Sequence, residues 1–245
     1  MVKVLLNGGA GKMGKSVMAL SEQYDGFEVE CCVDALPGFK KVGDIDPLKI
    51  DAVVDISSPD GFKTSLKWAA KNRKPFVSGT TGLQAVDYQL LDSAAEIIPV
   101  LHTSNLSRGV NILFDILKNT ASLTMDADVE IIEIHHNKKK DAPSGTALEL
   151  GKIITQERIS KNFIPTYGRS GITGERCPEE IGYHSVRCGD VPGEHTVLFA
   201  FEGERIEITH KALTRDIFAR GAIHAAIFLA GRSPGKYSMN DVVSQ

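Results

Sequence analysis

The sequence contains no run of about twenty apolar residues, so a membrane-spanning helix is not expected. Its opening stretch, Met1 to Gly9, is too short and too soon broken by glycine to read as a signal peptide. No charge of one sign prevails: 28 basic against 31 acidic side chains leave −3. That balance argues against general affinity for nucleic acid or an anionic membrane, while allowing local basic patches. Cysteine is scarce. Cys31, Cys32, Cys177 and Cys188 make no C-x-x-C, and they read as buried, reduced small hydrophobes of a cytosolic protein, not as metal ligands or disulfides. Adjacent cysteines in an apolar strand should face opposite sides of a sheet. No repeat, low-complexity tract or Pro/Gly-rich linker marks a domain border. What remains is ordinary for a globular protein, with 42% hydrophobic and 24% charged residues in 245, enough for one large domain or two small ones.

The first hundred residues alternate β-rich runs with helical patterns, the rhythm of a parallel sheet wrapped by helices. Strands are expected at Val2–Leu6, Phe27–Val33, Ala52–Ile56, Pro75–Val77 and Pro99–His102, and helices at Lys15–Glu22, Pro59–Lys71, Leu83–Ile97 and Val110–Leu123. Ser58 before Pro59 is a good helix start. The texture then turns more β-like. A strand at Val129–His136 and a helix at Thr146–Ile159 precede strands around Tyr183–Val186, Thr196–Phe201 and Arg205–His210, the last two joined at Glu202-Gly203 like a hairpin. Strict alternation from Arg205 to Thr209 predicts one buried and one wet face. The last helix, Asp216–Ala230, is apolar nearly all round and needs cover on several sides. The expected fold is α/β: a Rossmann-type dinucleotide-binding domain over residues 1–106, completed by 216–245, and an α+β domain with an open mixed sheet over 107–215.

The loop Asn7 to Ser16, NGGAGKMGKS, satisfies two phosphate-binding patterns. Gly9, Gly11 and Gly14 give the G-x-G-x-x-G of a dinucleotide fold, whereas Gly9, Gly14, Lys15 and Ser16 give a P-loop. Both place backbone N–H groups near a phosphate at a helix start. A dinucleotide site wants an acid about twenty residues on, and Asp34 closes the second strand. A P-loop enzyme wants a magnesium-binding aspartate after a later strand, and Asp55 could serve. Local motifs favour the dinucleotide without deciding.

The segment EIIEIHHNKKKDAPSGTALELG, Glu130 to Gly151, carries more chemistry. Three lysines and one aspartate between His135 and Asp141 give a local charge of +2 with neutral histidines. Thr146 and Glu149 have capping-box spacing, so backbone N–H groups near Gly145 and Thr146 would sit at a helix start beside cationic lysines. A small anion, carboxylate in particular, suits that place. Histidine can exchange protons near neutrality and lysine is a protonated donor. A solvated basic loop with an ordinary cap would read the same way in isolation. Adjacent histidines without a third ligand make poor metal spacing, and no metal is expected.

The stretch Glu133 to Ala147 resembles the signature of the dihydrodipicolinate reductase family, also called 4-hydroxy-tetrahydrodipicolinate reductase, whose pattern is E-x-H-H-x-x-K-x-D-A-P-S-G-T-A. Gly11-Lys12-Met13-Gly14 resembles that family's G-R-M-G. Gly79 to Gly82 and Asn105 to Asn111 resemble its G-T-T-G and N-x-S-x-G-V-N, as TGER, VRCGDVPGEHTVLF and ERIEITHKA resemble its later segments. The likeness runs along essentially the whole chain and makes the P-loop match coincidental. It implies reduction of a cyclic unsaturated dicarboxylate by NADH or NADPH in diaminopimelate and lysine biosynthesis, in a cytoplasmic homotetramer whose two domains close over the substrate. It carries the acid/base role to His135 and the proton donor to Lys139. Substrate contacts fall on His136, Gly145 and Thr146. Cofactor contacts fall on Gly8, Gly9, Ala10, Gly11, Lys12, Met13, Asp34, Gly79, Thr80, Thr81, Thr103, Ser104, Asn105 and Leu106. Two positions depart from a common family form: Leu106 stands where phenylalanine is frequent, and Ala35 where an arginine can grip the NADP phosphate. Asp34 would repel that phosphate, with Lys12, Lys40 or Lys41 as offsets, so NADH should serve at least as well as NADPH. The other histidines, His102, His184, His195, His210 and His224, read as structural or surface residues. A non-catalytic NAD-sensing module is the remaining alternative.

Overall fold

The computed structural model describes residues 1–159 and 162–244. The chain divides into two compact units, Met1–Arg108 with Asp216–Gln245, and Gly109–Arg215. In chain order the first unit begins with β1 (Val2–Asn7), α1 (Lys12–Ser21), β2 (Phe27–Val33), β3 (Ala52–Asp55), α2 (Pro59–Lys71), β4 (Phe76–Ser78), α3 (Ala85–Ala95) and β5 (Pro99–His102). Then come α4 (Arg108–Leu123), β6 (Asp128–His135), α5 (Gly145–Glu157), β7 (Ile164–Tyr167), β8 (Glu180–Arg187), β9 (Gly193–Ala200) and β10 (Arg205–Ala212). The chain returns to the first unit with α6 (Asp216–Leu229), β11 (Gly235–Tyr237) and α7 (Met239–Val243).

The first sheet has the order β11-β5-β4-β3-β1-β2 and is parallel throughout. Both faces are covered, which is why its inner strands read as continuous apolar runs. Val4, Leu6, Val54, Val77 and Leu101 pack with residues of α1, α6 and α7 on one side. Leu5, Val53, Phe76 and Val100 pack with α2 and α3 on the other. The period of two in the pleat sends alternate residues to opposite cores, and it splits the adjacent cysteines: Cys32 packs on the first and Cys31 on the second. Both are only half-buried, and Cys188 is exposed, so the four are free thiols but not the core residues expected.

Helix α2 starts as expected, with the Ser58 hydroxyl accepting from Gly61 N and Pro59 in the first turn. Helix α1 begins three residues before the predicted Lys15. Its N-cap is Gly11, in extended conformation, so Lys15 and Ser16 lie within the helix. Strand β11 and helix α7 escape the sequence because both are very short; β11 gains its order by pairing with β5.

The second unit is a five-stranded mixed sheet, β10-β9-β6-β8-β7. Strands β6, β8 and β7 pair in parallel, while β9 is antiparallel to β6 and β10. Leu113, Leu117 and Ala121 of α4 and Leu150, Ile153 and Ile154 of α5 pack with Val129, Ile131, Ile181, Val197 and Phe199. The fully buried Arg158 donates to the Ala121, Ala127 and Thr124 carbonyls, closing the C-terminal end of α4. Strand β10 corrects one expectation. Its alternation does not give a buried face, because it is the sheet's edge: Ile208 reaches the core only partly and Ile206 stays 44% exposed.

Candidate active site

In the first unit the strand order reverses between β1 and β3, and ligands of open α/β sheets bind beyond the carboxyl ends at such a point. A cavity of about 900 Å³ opens there, with Gly8, Ala10, Gly11, Asp34, Lys40, Lys41 and Ser57 in its wall. The glycines shape it by close approach. Gly8 holds φ at +95°, and a Cβ on Gly14 would stand 2.3 Å from the Gly8 carbonyl oxygen. No side chain caps the first turn of α1, so its leading N–H groups face outward at the positive end of the helix. Asp34 ends β2 and accepts from Ala10 N at 3.0 Å and Leu36 N at 3.2 Å.

Asp55 has a different task from the magnesium ligand a P-loop would need. It is fully buried, and its carboxylate accepts from Asn7 Nδ2, Ser57 Oγ, Ser78 Oγ and Thr80 Oγ1 at 2.6–3.0 Å. Burial raises its pKa against the pull of those bonds. Its lone pairs are spent joining the ends of β1, β3 and β4. The helix starts at Lys12, inside the span a G-x-x-x-x-G-K loop needs to wrap a phosphate, so the P-loop reading fails on geometry.

The second unit gathers the basic segment at the carboxyl end of β6. Glu133 and His135, two residues apart, face the helix-covered side together. His135 Nδ1 lies 2.5 Å from Glu133 Oε2. Parallel register sets Arg187 of β8 beside His135, and antiparallel register sets His195 of β9 beside Glu133. Arg187 holds Glu133 with both guanidinium ends, at 2.8 and 2.6 Å, and also donates to the Asp141 carbonyl at 2.7 Å. Lys139 Nζ lies 2.8 Å from Asp141 Oδ2. The His195 ring meets His135 edge-to-face at 5.1 Å and shares a hydrogen bond of 3.0 Å with the Ser144 hydroxyl.

These contacts fix the charge states. Burial would raise Glu133, but bonds from Arg187, Ser185 and His135 outweigh it and hold the acid at about 2. Burial lowers His135; Glu133 opposes this, and the charges of Lys139 and Arg187 add to it. Burial, then the neighbouring His135, pushes His195 down to about 3, so its ring is neutral.

The helix cap lies two residues before the predicted box. Ser144, not Thr146, is the cap, accepting from Ala147 N at 3.2 Å, and Glu149 pairs with Lys152 instead. Gly145 and Thr146 thus form the first turn of α5, beside the Ser144–Glu133 contact.

Not every expected cofactor residue reaches the first unit's cavity. Gly9 packs on Cys32, Gly79 on Leu106, and Lys12 is exposed outside the cavity wall. Thr80 is buried on Asp55. Leu106 lies deepest: its side chain fills the core and its carbonyl abuts Gly221 of α6. Thr81 and Ser104 are exposed, while Thr103 and Asn105 bond to each other in the turn after β5. His136 lies in the turn after β6, its Nδ1 accepting from Lys138 N. Sequence reasoning gave no site role to Glu133, Arg187, Ser144 or His195, although Glu133 and Ser144 lie within the E-x-H-H signature and Arg187 and His195 within VRCGDVPGEHTVLF.

Two family models cover the chain. One described as dihydrodipicolinate reductase, N-terminus, matches residues 2–106, and one described as dihydrodipicolinate reductase, C-terminus, matches residues 109–243. The chain belongs to the dihydrodipicolinate reductase family. The C-terminal match includes α6, although α6 packs in the first unit. The 4-hydroxy-tetrahydrodipicolinate reductase of Geotalea daltonii is 40% identical over 266 residues, covering 99% of both chains. That of Hahella chejuensis is 42% identical over 265 residues, again covering 99% of both. Among solved structures, a dipicolinate-bound dihydrodipicolinate reductase from Paenisporosarcina sp. TG-14 shares the fold, with a TM-score of 0.82, 23% identity and 98% coverage of each chain.

Proposed function

We propose that this reductase reduces a cyclic unsaturated dicarboxylate of the 4-hydroxy-tetrahydrodipicolinate type, with NADH or NADPH, in diaminopimelate and lysine biosynthesis. It works as a homotetramer built through the sheet of the second unit, as the family resemblance implies. The observation that carries the reading is the grouping of His135, Lys139 and the first turn of α5 around one buried carboxylate, Glu133.

The glycine turn, Asp34 and the 900 Å³ cavity fit a dinucleotide. When bound, the reduced nicotinamide supplies a hydride. Gly145 and Thr146, at the positive end of α5, hold a ring carboxylate, and His136 adds a substrate contact. The charge-neutralising pocket stabilises electron density entering the conjugated ring. Lys139, oriented by Asp141, gives a proton to the reduced ring, and His135 exchanges protons through Nε2.

A coupled assay tests this. With dihydrodipicolinate synthase present, NADH should be oxidised only when pyruvate and aspartate semialdehyde are both supplied. Lys139→Ala should lose about 10²-fold or more in kcat while still quenching or enhancing NADH fluorescence on binding. Full turnover in that variant would overturn the assignment, and no turnover in the parent protein would favour an NAD-sensing module.

A further inference from the structure

Glu133 accepts hydrogen bonds from its own strand, from the cap of α5 and from β8. His135 Nδ1 and Arg187 Nη1 reach Oε2 at 2.5 and 2.8 Å; Arg187 Nη2 and Ser144 N reach Oε1 at 2.6 and 3.1 Å. We infer that Glu133, backed by Arg187, is a positioning residue that locks His135 with its proton on Nδ1 and its working Nε2 turned away from the carboxylate towards Gly193, while setting the start of α5 and the Lys139 loop in the same grip. The inference rests on the acid/base reading of His135 given above.

The tautomer follows from counting donors. Arg187 grips both oxygens of Glu133 as a bidentate cation and the Ser144 N–H donates beside it, which with the acid held at about 2 keeps Glu133 ionised. His135 Nδ1, facing an ionised oxygen, must then be the donor in the neutral ring as well as the charged one. Nε2 is left as the only ring nitrogen able to gain or lose a proton. It borders Gly193, where a Cβ would come within 3.0 Å of it, so the glycine keeps that edge open.

A purely structural buried ion pair would have no reason to touch each functional piece. Here Ser144 N belongs to the residue that caps the proposed carboxylate cradle. Arg187 donates also to the carbonyl of Asp141, whose side chain orients the Lys139 ammonium. One carboxylate–guanidinium pair therefore spaces proton donor, proton acceptor and anion cradle from one another. Such spacing is what oriented catalysis requires.

The charged and titratable groups facing His135 are Glu133 on its own strand, Arg187 on β8, His195 on β9 and Lys139 in the following loop. His210 lies behind His195, and Asp141 beyond Lys139. Removing the two members of the pair should move His135 in opposite directions, because Glu133 favours the imidazolium and Arg187 opposes it. The loss of kcat on removing Glu133, with KM for NADH unchanged, separates this role from a merely structural one.

The test is histidine ¹⁵N NMR on the full-length protein with steady-state kinetics alongside. In the parent protein the neutral His135 ring should carry its proton on Nδ1. Its midpoint should fall by about 1 pH unit in Glu133→Gln and rise in Arg187→Gln. Glu133→Gln should also lower kcat by about 10²-fold and raise KM for the dicarboxylate, leaving KM for NADH unchanged. A proton on Nε2 in the neutral parent ring overturns the inference, as do midpoints that stay put or shift the same way. If neither variant folds, the tautomer of the parent decides alone. Full activity in His135→Gln would instead overturn the acid/base reading while leaving the NMR result intact.

Discussion

Asp34 shows how one side chain can decide between two nearly identical cofactors. It closes β2, ties down the glycine turn through Ala10 N, and stands in the cavity wall with Lys40 and Lys41. A carboxylate there welcomes ribose hydroxyls and repels a 2′-phosphate, while Ala35 offers that phosphate no guanidinium. We expect kcat/KM with NADH at least equal to that with NADPH, and Asp34→Ala should shift the ratio towards NADPH by about tenfold. A strong NADPH preference in the parent protein would mean that Lys40 and Lys41 outweigh Asp34. At this scale the sequence was readable where residues lie within one motif: His135, Lys139 and Gly145 are near neighbours in the chain. Arg187 and His195 were not, because sheet register alone brings them to Glu133 and His135. The burial of the Leu106 side chain was not legible, because a motif match says nothing about whether a side chain points to the cavity or to the core.

The turn from β1 into α1 is a unit whose parts cannot be varied singly. Gly14 lets the helix sit on the strand end, since a Cβ there would meet the backbone of Gly8 and Gly9 at 2.3–2.6 Å. Backbone cannot swing away as a flexible side chain could. Gly14→Ala should therefore open the turn and weaken NADH binding by about tenfold or more, read by fluorescence titration, with the second unit's fold unchanged by circular dichroism. Unaltered affinity would show that the turn does not set the binding geometry. Strand and helix identities were legible in this region because apolar runs alternate with amphipathic stretches. Boundaries were less so: the α1 start depends on an extended Gly11, and the cap of α5 on Ser144 reaching Ala147 N. Strands β7 and β11 are short and take their order from neighbours, which no local pattern carries.

Across the whole molecule, acid is the expected weakness. His195 is 5% exposed and held neutral, with its pKa at about 3 against the usual value of about 6.5. Because the unfolded chain takes up that proton more readily, stability should fall as pH drops below about 6.5, through the range down to about 3. By pH 5 the loss from His195 is about 2 kcal/mol. Burial likewise lowers His135, His210 and His224, which adds to the loss with the same sign. Glu133 works in a lower window: its contribution is full above the usual carboxylate range and disappears as pH falls towards about 2. Urea unfolding at pH 7.5 and pH 5 should show the drop, and His195→Gln should flatten it. Equal midpoints at both pH values in the parent protein would rule out a buried neutral His195.

The chain leaves its first unit after Arg108 and comes back only at Asp216. During synthesis the ribosome therefore delivers the middle of the protein whole before the nucleotide half has its last helix and edge strand. The usual amino-to-carboxyl order of domain completion is reversed. Until the segment from Asp216 onward emerges, the face of the first sheet that α6 covers must wait bare.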